Sequence, residues 1–149
     1  MNGKKYIILE LIPTRLSNGE IVQISALKID GLKLLDRFDY RLKLDMISNP
    51  DILRIISYDK DKFKYLSSSN RIMNKFKKWI EDYDLLIIDN LYTENYLSDI
   101  ENKKESIFKY LNMTYSDDII DKIIDKYKIE PTNHIVDILY EALIFEKGE

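Results

Sequence analysis

The side chains best suited to chemistry are a carboxylate at the end of a buried strand and the only histidine of the chain. Glu10 lies near the C-terminal end of the apolar run at residues 6–11. A buried carboxylate without a partner is costly, so Glu10 either holds a cation, forms a salt bridge or is solvated at the edge of the sheet. His134 precedes the last helical segment, where an imidazole can cap the helix, lie on the surface or accept a proton in catalysis. The chain contains no cysteine, so a metal ion would need oxygen ligands.

The composition is typical of one folded domain spanning residues 1–149. Hydrophobic residues make up 45% of the chain and charged residues 33%, and a domain of this length needs no disulfide or metal to fold. The first apolar run is interrupted by Glu10 after four residues, which is too short for a signal peptide or a membrane span. With no cysteine either, we expect a cytoplasmic protein without membrane contact. The net charge of −3 disfavours nucleic-acid binding unless a basic face is formed locally.

The hydrophobic pattern predicts an α/β fold with a mixed sheet. Three strands are expected first, at residues 6–11, 20–29 and 37–44, with tight-turn dipeptides at positions 18–19 and 30–31 that favour antiparallel pairing. A fourth, fully buried strand is expected at residues 84–88. Helices are predicted at residues 71–81, after Thr93, after Ser116 and at residues 133–147. The resulting order is three antiparallel strands and then a parallel strand, flanked by helices, with a helical C-terminal half.

Three parts of the chain contain polar residues in an order known from one nuclease family. The first part reads YIILELIPTRLS at residues 6–17 and GEIVQISALKIDG at residues 19–31, the second DLLIIDNLYTENYL at residues 84–97, and the third IIDKIIDKYKIEPTNHIVDILYEA at residues 119–142. In order and spacing they resemble the motifs of the DnaQ-like (DEDDh) 3'-5' exonucleases. The resemblance covers nearly the whole chain and implies an RNase H-like fold.

The resemblance also implies a chemistry, namely phosphodiester cleavage at a 3' end by two Mg²⁺ or Mn²⁺ ions. Four carboxylates would hold the ions, and a histidine would be the base for the attacking water. Matched position by position, Glu10 and Glu94 stand for two of the aspartates and His134 for the histidine, while Ile12 and Leu139 replace the other two acids. The sequence therefore predicts a vestigial base and a weak or absent metal site.

Neighbouring acids offer little compensation for the lost ones. Asp137 and Glu141 lie two residues on either side of Leu139, which on an α-helix is a rotation of about 200°, so they are predicted to face away from it. Asp89 stands where the family has a histidine, at the mouth of the same sheet, and is the one acid expected to be able to join the metal ligands.

Contacts to a nucleic-acid substrate are also altered. Pro13 and Arg15 stand where the family has Thr and Gly, which removes a backbone donor and the close approach that glycine permits. The candidates for nucleic-acid binding are Arg15, Asn90, Arg71 and Lys75. By default, however, the basic clusters of the chain are solvated faces.

Three functions follow from these observations. The first is a degenerate exonuclease-fold protein, catalytically impaired or inactive, that binds a partner protein or a single-stranded nucleic acid. The second is a weak, metal-dependent 3'-5' exonuclease that acts on single-stranded DNA or RNA. The third is a small inhibitor or assembly subunit, from a mobile element, that uses the fold as a scaffold.

Overall fold

The computed structural model describes residues 3–13, 21–41, 69–88, 93, 96–132 and 134–148. The elements in chain order are β1 (Lys5–Pro13), β2 (Ile21–Asp30), β3 (Lys33–Arg41), α1 (Ser69–Trp79), β4 (Asp84–Ile87), β5 (Lys104–Ser106), α2 (Ile107–Tyr110), α3 (Ile119–Tyr127) and α4 (Ile135–Lys147).

The strands form one mixed sheet in the order β3-β2-β1-β4-β5. Strand β1 pairs antiparallel with β2 and parallel with β4, so it lies at the centre of the sheet. Strand β2 pairs antiparallel with β3. A central strand is covered on both faces, which is why residues 6–9 are continuously apolar and fully buried. The predicted mixed sheet, antiparallel at one side and parallel at the other, is confirmed.

The hairpin between β2 and β3 is tighter than the sequence predicts. Gly31 has a φ of 61°, a left-handed conformation that glycine adopts without strain, and Asp30 pairs directly with Lys33. The register then shifts so that Leu35 has no partner on β2. Because this bulge breaks the alternation of apolar and polar residues, the sequence pattern places the start of the third strand at residue 37, four residues late.

Two apolar layers cover the sheet. On one face, α1 packs Ile72 and Phe76 against side chains of β1, β2 and β3. On the other face, α2, α3 and α4 pack against the alternate side chains of the same sheet, among them Ile8 and Leu27. Successive residues of a strand point to opposite faces, so each strand contributes to both layers.

One strand is missing from the sequence prediction. Strand β5 contains only Lys104, Glu105 and Ser106, which have no apolar alternation. It exists because its backbone extends the sheet beside β4, and because Glu105 accepts a hydrogen bond from the Tyr110 hydroxyl and pairs with Lys103. Tertiary pairing therefore overrides a weak strand propensity.

The helices lie close to their predicted positions. α1 begins at Ser69 and α4 ends at Lys147, within two residues of the predicted limits. α3 begins at Ile119, after a turn in which Ser116 Oγ donates to Asp118 Oδ1 at 2.8 Å. Within the described part of the chain, no helix has the length and apolarity needed to cross a membrane.

Candidate functional site

A polar row crosses the sheet on the face covered by α4. Glu10 of β1 is in register with Ser25 of β2, which in turn is in register with Asp39 of β3. The alternation of the strands places all three side chains on the face that contains Ile8 and Leu27 one rung away. We call this face, together with the N-terminal end of α4, the cleft face.

Asp39 is the centre of the hydrogen bonds on the cleft face. Its Oδ1 accepts from Gln23 Nε2 at 2.8 Å and from the buried Ser25 Oγ at 3.1 Å. Gln23 Nε2 also lies 3.3 Å from Ser25 Oγ. The second carboxylate oxygen lies 3.9 Å from His134 Nδ1. Asp39 is thus held by donors from β2 and faces the imidazole.

His134 is positioned by the start of α4. It is the N-cap residue, in an extended conformation, and its side chain makes no capping hydrogen bond. The backbone amide of His134 donates to Thr132 Oγ1 at 3.3 Å, and its carbonyl accepts from the amide of Asp137 at 3.1 Å. The imidazole is half exposed. The His134 side chain thus takes no part in capping α4, and its Nδ1 lies 3.9 Å from Asp39 Oδ2.

Arg37 fastens α4 to the edge of the sheet. Its guanidinium donates to both carboxylate oxygens of Asp137, with Nη2 2.5 Å from Oδ1 and Nη1 3.3 Å from Oδ2. The hydrogen bond to Asp137 raises the pKa of Arg37. Arg37 lies outside the three motif regions, and Asp137 lies within the third without matching one of its acids. The signal in the sequence is the polar face of β3, on which Arg37 and Asp39 are two residues apart.

We expect a measurable but modest coupling between Arg37 and Asp137. The Arg37 and Asp137 side chains are 41% and 30% exposed, so water screens the pair and a coupling energy of about 1 kcal/mol is expected. The measurement is a double-mutant cycle of Arg37→Ala and Asp137→Ala by urea denaturation. Additive effects of the two substitutions would show that the pair does not help to dock α4.

Glu10 has an environment that disfavours its charged form. Burial, first, and the negative charge of Asp39, second, raise the pKa of Glu10 from 4.5 to about 7. Near neutral pH a substantial share of its carboxyl groups is therefore protonated. A carboxylate in this state binds a cation only with release of a proton.

The two apolar residues at the positions of family acids, Leu139 and Ile12, differ in their surroundings. Leu139 is fully buried in the layer between α4 and the sheet. Ile12 is partly buried and in register with Gln23, one rung beyond Glu10 on the same face. Asp137 pairs with Arg37, and Glu141 is exposed, so neither acid takes the place of Leu139.

The other predicted site residues are distributed differently. Asp89, Glu94, Asn90 and Arg15 lie outside the described residues. Arg71 and Lys75 are on α1, and Lys75 lies above the Tyr40 ring on the opposite face of the sheet from Glu10 and His134.

The described cleft residues do not fit a two-metal site. Among the residues with described positions, no group of three or more His, Asp or Glu side chains could hold a metal ion. Of the acids on this face, Asp39 and Asp137 are held by protein donors and Glu10 resists ionisation. Asp39 lies 3.9 Å from His134 and, across Ser25, in the same row as Glu10, on which its charge acts.

Among the comparisons with known proteins, only the comparison with solved structures finds similar proteins, and it supports the fold. No family model and no curated protein matches the sequence. The nuclease domain of 3'hExo, a DEDDh family member bound to rAMP, superposes with a TM-score of 0.71 at 13% identity, over 97% of this chain and 90% of that one. Exonuclease X in complex with 5' overhanging duplex DNA superposes with a TM-score of 0.68 at 10% identity, over 97% and 93% of the two chains.

Product-bound exonuclease I is similar over a smaller part of its length. Its TM-score is 0.68 at 11% identity, and the match covers 96% of this chain but 43% of that one. Such identities are too low to transfer an activity, but agreement over nearly the whole chain establishes the architecture. The chain therefore has the fold of the DnaQ-like (DEDDh) 3'-5' exonucleases, with an RNase H-like mixed sheet.

Proposed function

We propose that this protein is a catalytically impaired member of the exonuclease fold that acts by binding a single-stranded nucleic acid or a partner protein. The observation that carries the proposal is the burial of Leu139 in the apolar core, at the position where the resemblance requires a metal-binding acid. A carboxylate at that position would lie in the apolar layer between α4 and the sheet.

The remaining acids on the cleft face support the same proposal. Asp39 accepts hydrogen bonds from Gln23 and Ser25, and Asp137 is paired with Arg37. The hydrogen bonds to Asp39 Oδ1 and the ion pair of Asp137 compete with a metal ion for these carboxylates. Both acids are thus already engaged by donors of the protein.

Because the described residues do not fit two metal ions, we expect no nucleotide release in a nuclease assay. The protein would be incubated with Mg²⁺ or Mn²⁺ and a single-stranded DNA or RNA labelled at its 5' end, and shortening from the 3' end would be followed. The expected rate equals that of the Glu10→Ala variant and of a reaction with EDTA. Metal-dependent shortening that Glu10→Ala abolishes would contradict the proposal.

A weak 3'-5' exonuclease is the second candidate, and one observation favours it. Glu10 and His134, separated by more than 120 positions in the chain, lie on the same face of the sheet, where Asp39 is 3.9 Å from His134 and in one row with Glu10. A metal site built from Glu10, Glu94 and Asp89, with His134 as the base, would use Mg²⁺ or Mn²⁺. This candidate predicts the opposite result in the same assay, and it further predicts that Glu94→Ala and His134→Ala each abolish the activity.

A further inference from the structure

A row of four aromatic rings and three lysines lies on the face of the sheet opposite to the cleft face. The neighbouring members of the row are 4.6–5.6 Å apart, from ring to ring or from ammonium to ring. In spatial order they are Lys75, Tyr40, Phe38, Trp79, Lys28, Tyr83 and Lys5. We call this set the ring row.

The ring row is held by the packing of α1 on the sheet. Phe38 is buried and contacts the rings of Phe76 and Trp79, which fixes the height of α1 above β3. Tyr40 and Trp79 lie on either side of Phe38. Tyr40 is 37% exposed and Trp79 is partly exposed, so both present part of their rings to solvent.

The charge of α1 is concentrated beside the ring row. The helix contains four Lys or Arg residues and no Asp or Glu, in a chain whose net charge is −3. Arg71, Lys75 and Lys78 are exposed, and Lys77 is paired with Asp99. Asp36 is an acid in contact with the row, and its carboxylate accepts hydrogen bonds from Trp79 Nε1 at 2.9 Å and from the Arg37 amide at 2.8 Å.

The presence of an exposed ring next to lysines favours one class of ligand. Single-stranded nucleic acids are bound by aromatic side chains on which bases stack, next to cations that contact the phosphates. An acidic peptide would use the lysines but leave the rings without a partner. We therefore propose that the ring row binds single-stranded nucleic acid, at a site separate from the cleft face, with Tyr40 as a stacking surface and Lys75 as a phosphate contact.

The only tryptophan of the chain, Trp79, reports directly on this site. In a buffer with EDTA, titration of the full chain with a single-stranded uridine or thymidine 20-mer is expected to quench the Trp79 fluorescence. The affinity should fall as the salt concentration rises, because phosphate binding releases counterions. Absence of binding, or binding that leaves the fluorescence unchanged, would overturn the proposal.

Variants of the two exposed members test the proposal at the level of residues. Tyr40→Ala is expected to weaken binding about tenfold and Tyr40→Phe to preserve it, because stacking needs the ring and not the hydroxyl. Lys75→Glu is also expected to weaken the binding affinity about tenfold.

Lys126→Glu is the matched control, because Lys126 also lies above a tyrosine ring, that of Tyr127, at 5.0 Å, but in the layer on the other face of the sheet. Equal weakening by Lys75→Glu and Lys126→Glu would mean unspecific attraction and would overturn the proposal. An equally strong fluorescence change with poly-glutamate would also overturn it, in favour of an acidic protein segment.

The binding experiments on the ring row and the nuclease assay can succeed or fail separately. The binding site on the ring row rests on the proposed function only in taking nucleic acid as the partner. Metal-dependent cleavage would contradict the proposed function and leave the ring row in place. Conversely, Gln23→Ala, on the cleft face, could abolish binding while Tyr40→Ala preserves it. That result would place the nucleic acid on the cleft face, and it would contradict only the proposal that the ring row is the binding site.

Discussion

Leu139→Asp is expected to lower the free energy of unfolding by about 4 kcal/mol and to restore no nuclease activity. Leu139 is fully buried between α4 and the sheet. Truncation of a buried leucine costs roughly 2–5 kcal/mol through lost apolar contacts and the cavity left behind. The carboxylate adds the cost of a charge in an apolar layer with no partner. The substitution therefore places the acid that the family motif has at this position in an apolar layer.

Urea denaturation followed by circular dichroism would measure this loss. Leu139→Ala isolates the cost of the cavity from that of the charge. Ile144→Asp is the matched control on the same helix, because Ile144 is 39% exposed and should cost less than about 1 kcal/mol. Our expectation would be wrong if the Leu139→Asp protein were as stable as the wild type and shortened single-stranded DNA in the presence of Mn²⁺.

Glu10→Gln is expected to stabilise the protein above neutral pH by about 2 kcal/mol and to have little effect near pH 4. Burial and the charge of Asp39 raise the pKa of Glu10 from 4.5 to about 7. Between these two pH values the folded protein keeps the Glu10 proton, whereas the unfolded chain has released it. The stability that the protonated carboxyl confers is therefore present at low pH, and it is lost as the pH rises through about 7. Each pKa unit corresponds to about 1.4 kcal/mol, which partial exposure of the side chain reduces. The amide of glutamine does not ionise and so escapes the loss.

The measurement is the free energy of unfolding of both proteins across this pH range in the presence of EDTA. Glu130→Gln is the control, since Glu130 is exposed after α3. A stabilisation that is the same at both ends of the pH range would contradict the argument. Repeating the series with Mn²⁺ separates the two candidate functions, because a metal bound at Glu10 would stabilise the wild type and not the variant.

The two faces of the sheet suggest different roles. On the cleft face, Asp39 accepts hydrogen bonds from Gln23 and Ser25, and Arg37 pairs with Asp137. On the other face, Tyr40 and Lys75 are exposed. The nucleic-acid site that we propose on the ring row therefore uses none of the residues of the cleft face.

The amino-acid sequence by itself determined the layout of the sheet. The apolar run at residues 6–9 required a strand covered on both faces, and the turn at Asp30-Gly31 required an antiparallel neighbour. The order and spacing of the motifs pointed to the DnaQ-like fold, which the structural comparisons bear out. These features follow from local periodicity and turn chemistry, which neighbouring residues in the chain specify.

Only the tertiary structure decided which polar groups meet. Asp39 belongs to no motif, yet the pairing of β1 with β2 and of β2 with β3 places it in one row with Ser25 and Glu10, and the start of α4 brings His134 Nδ1 to 3.9 Å from it. Strand β5 likewise exists through pairing with β4 and not through its own propensity. The physical reason is the same in each case: strand register and helix docking join residues far apart in the chain, and no local pattern encodes those contacts.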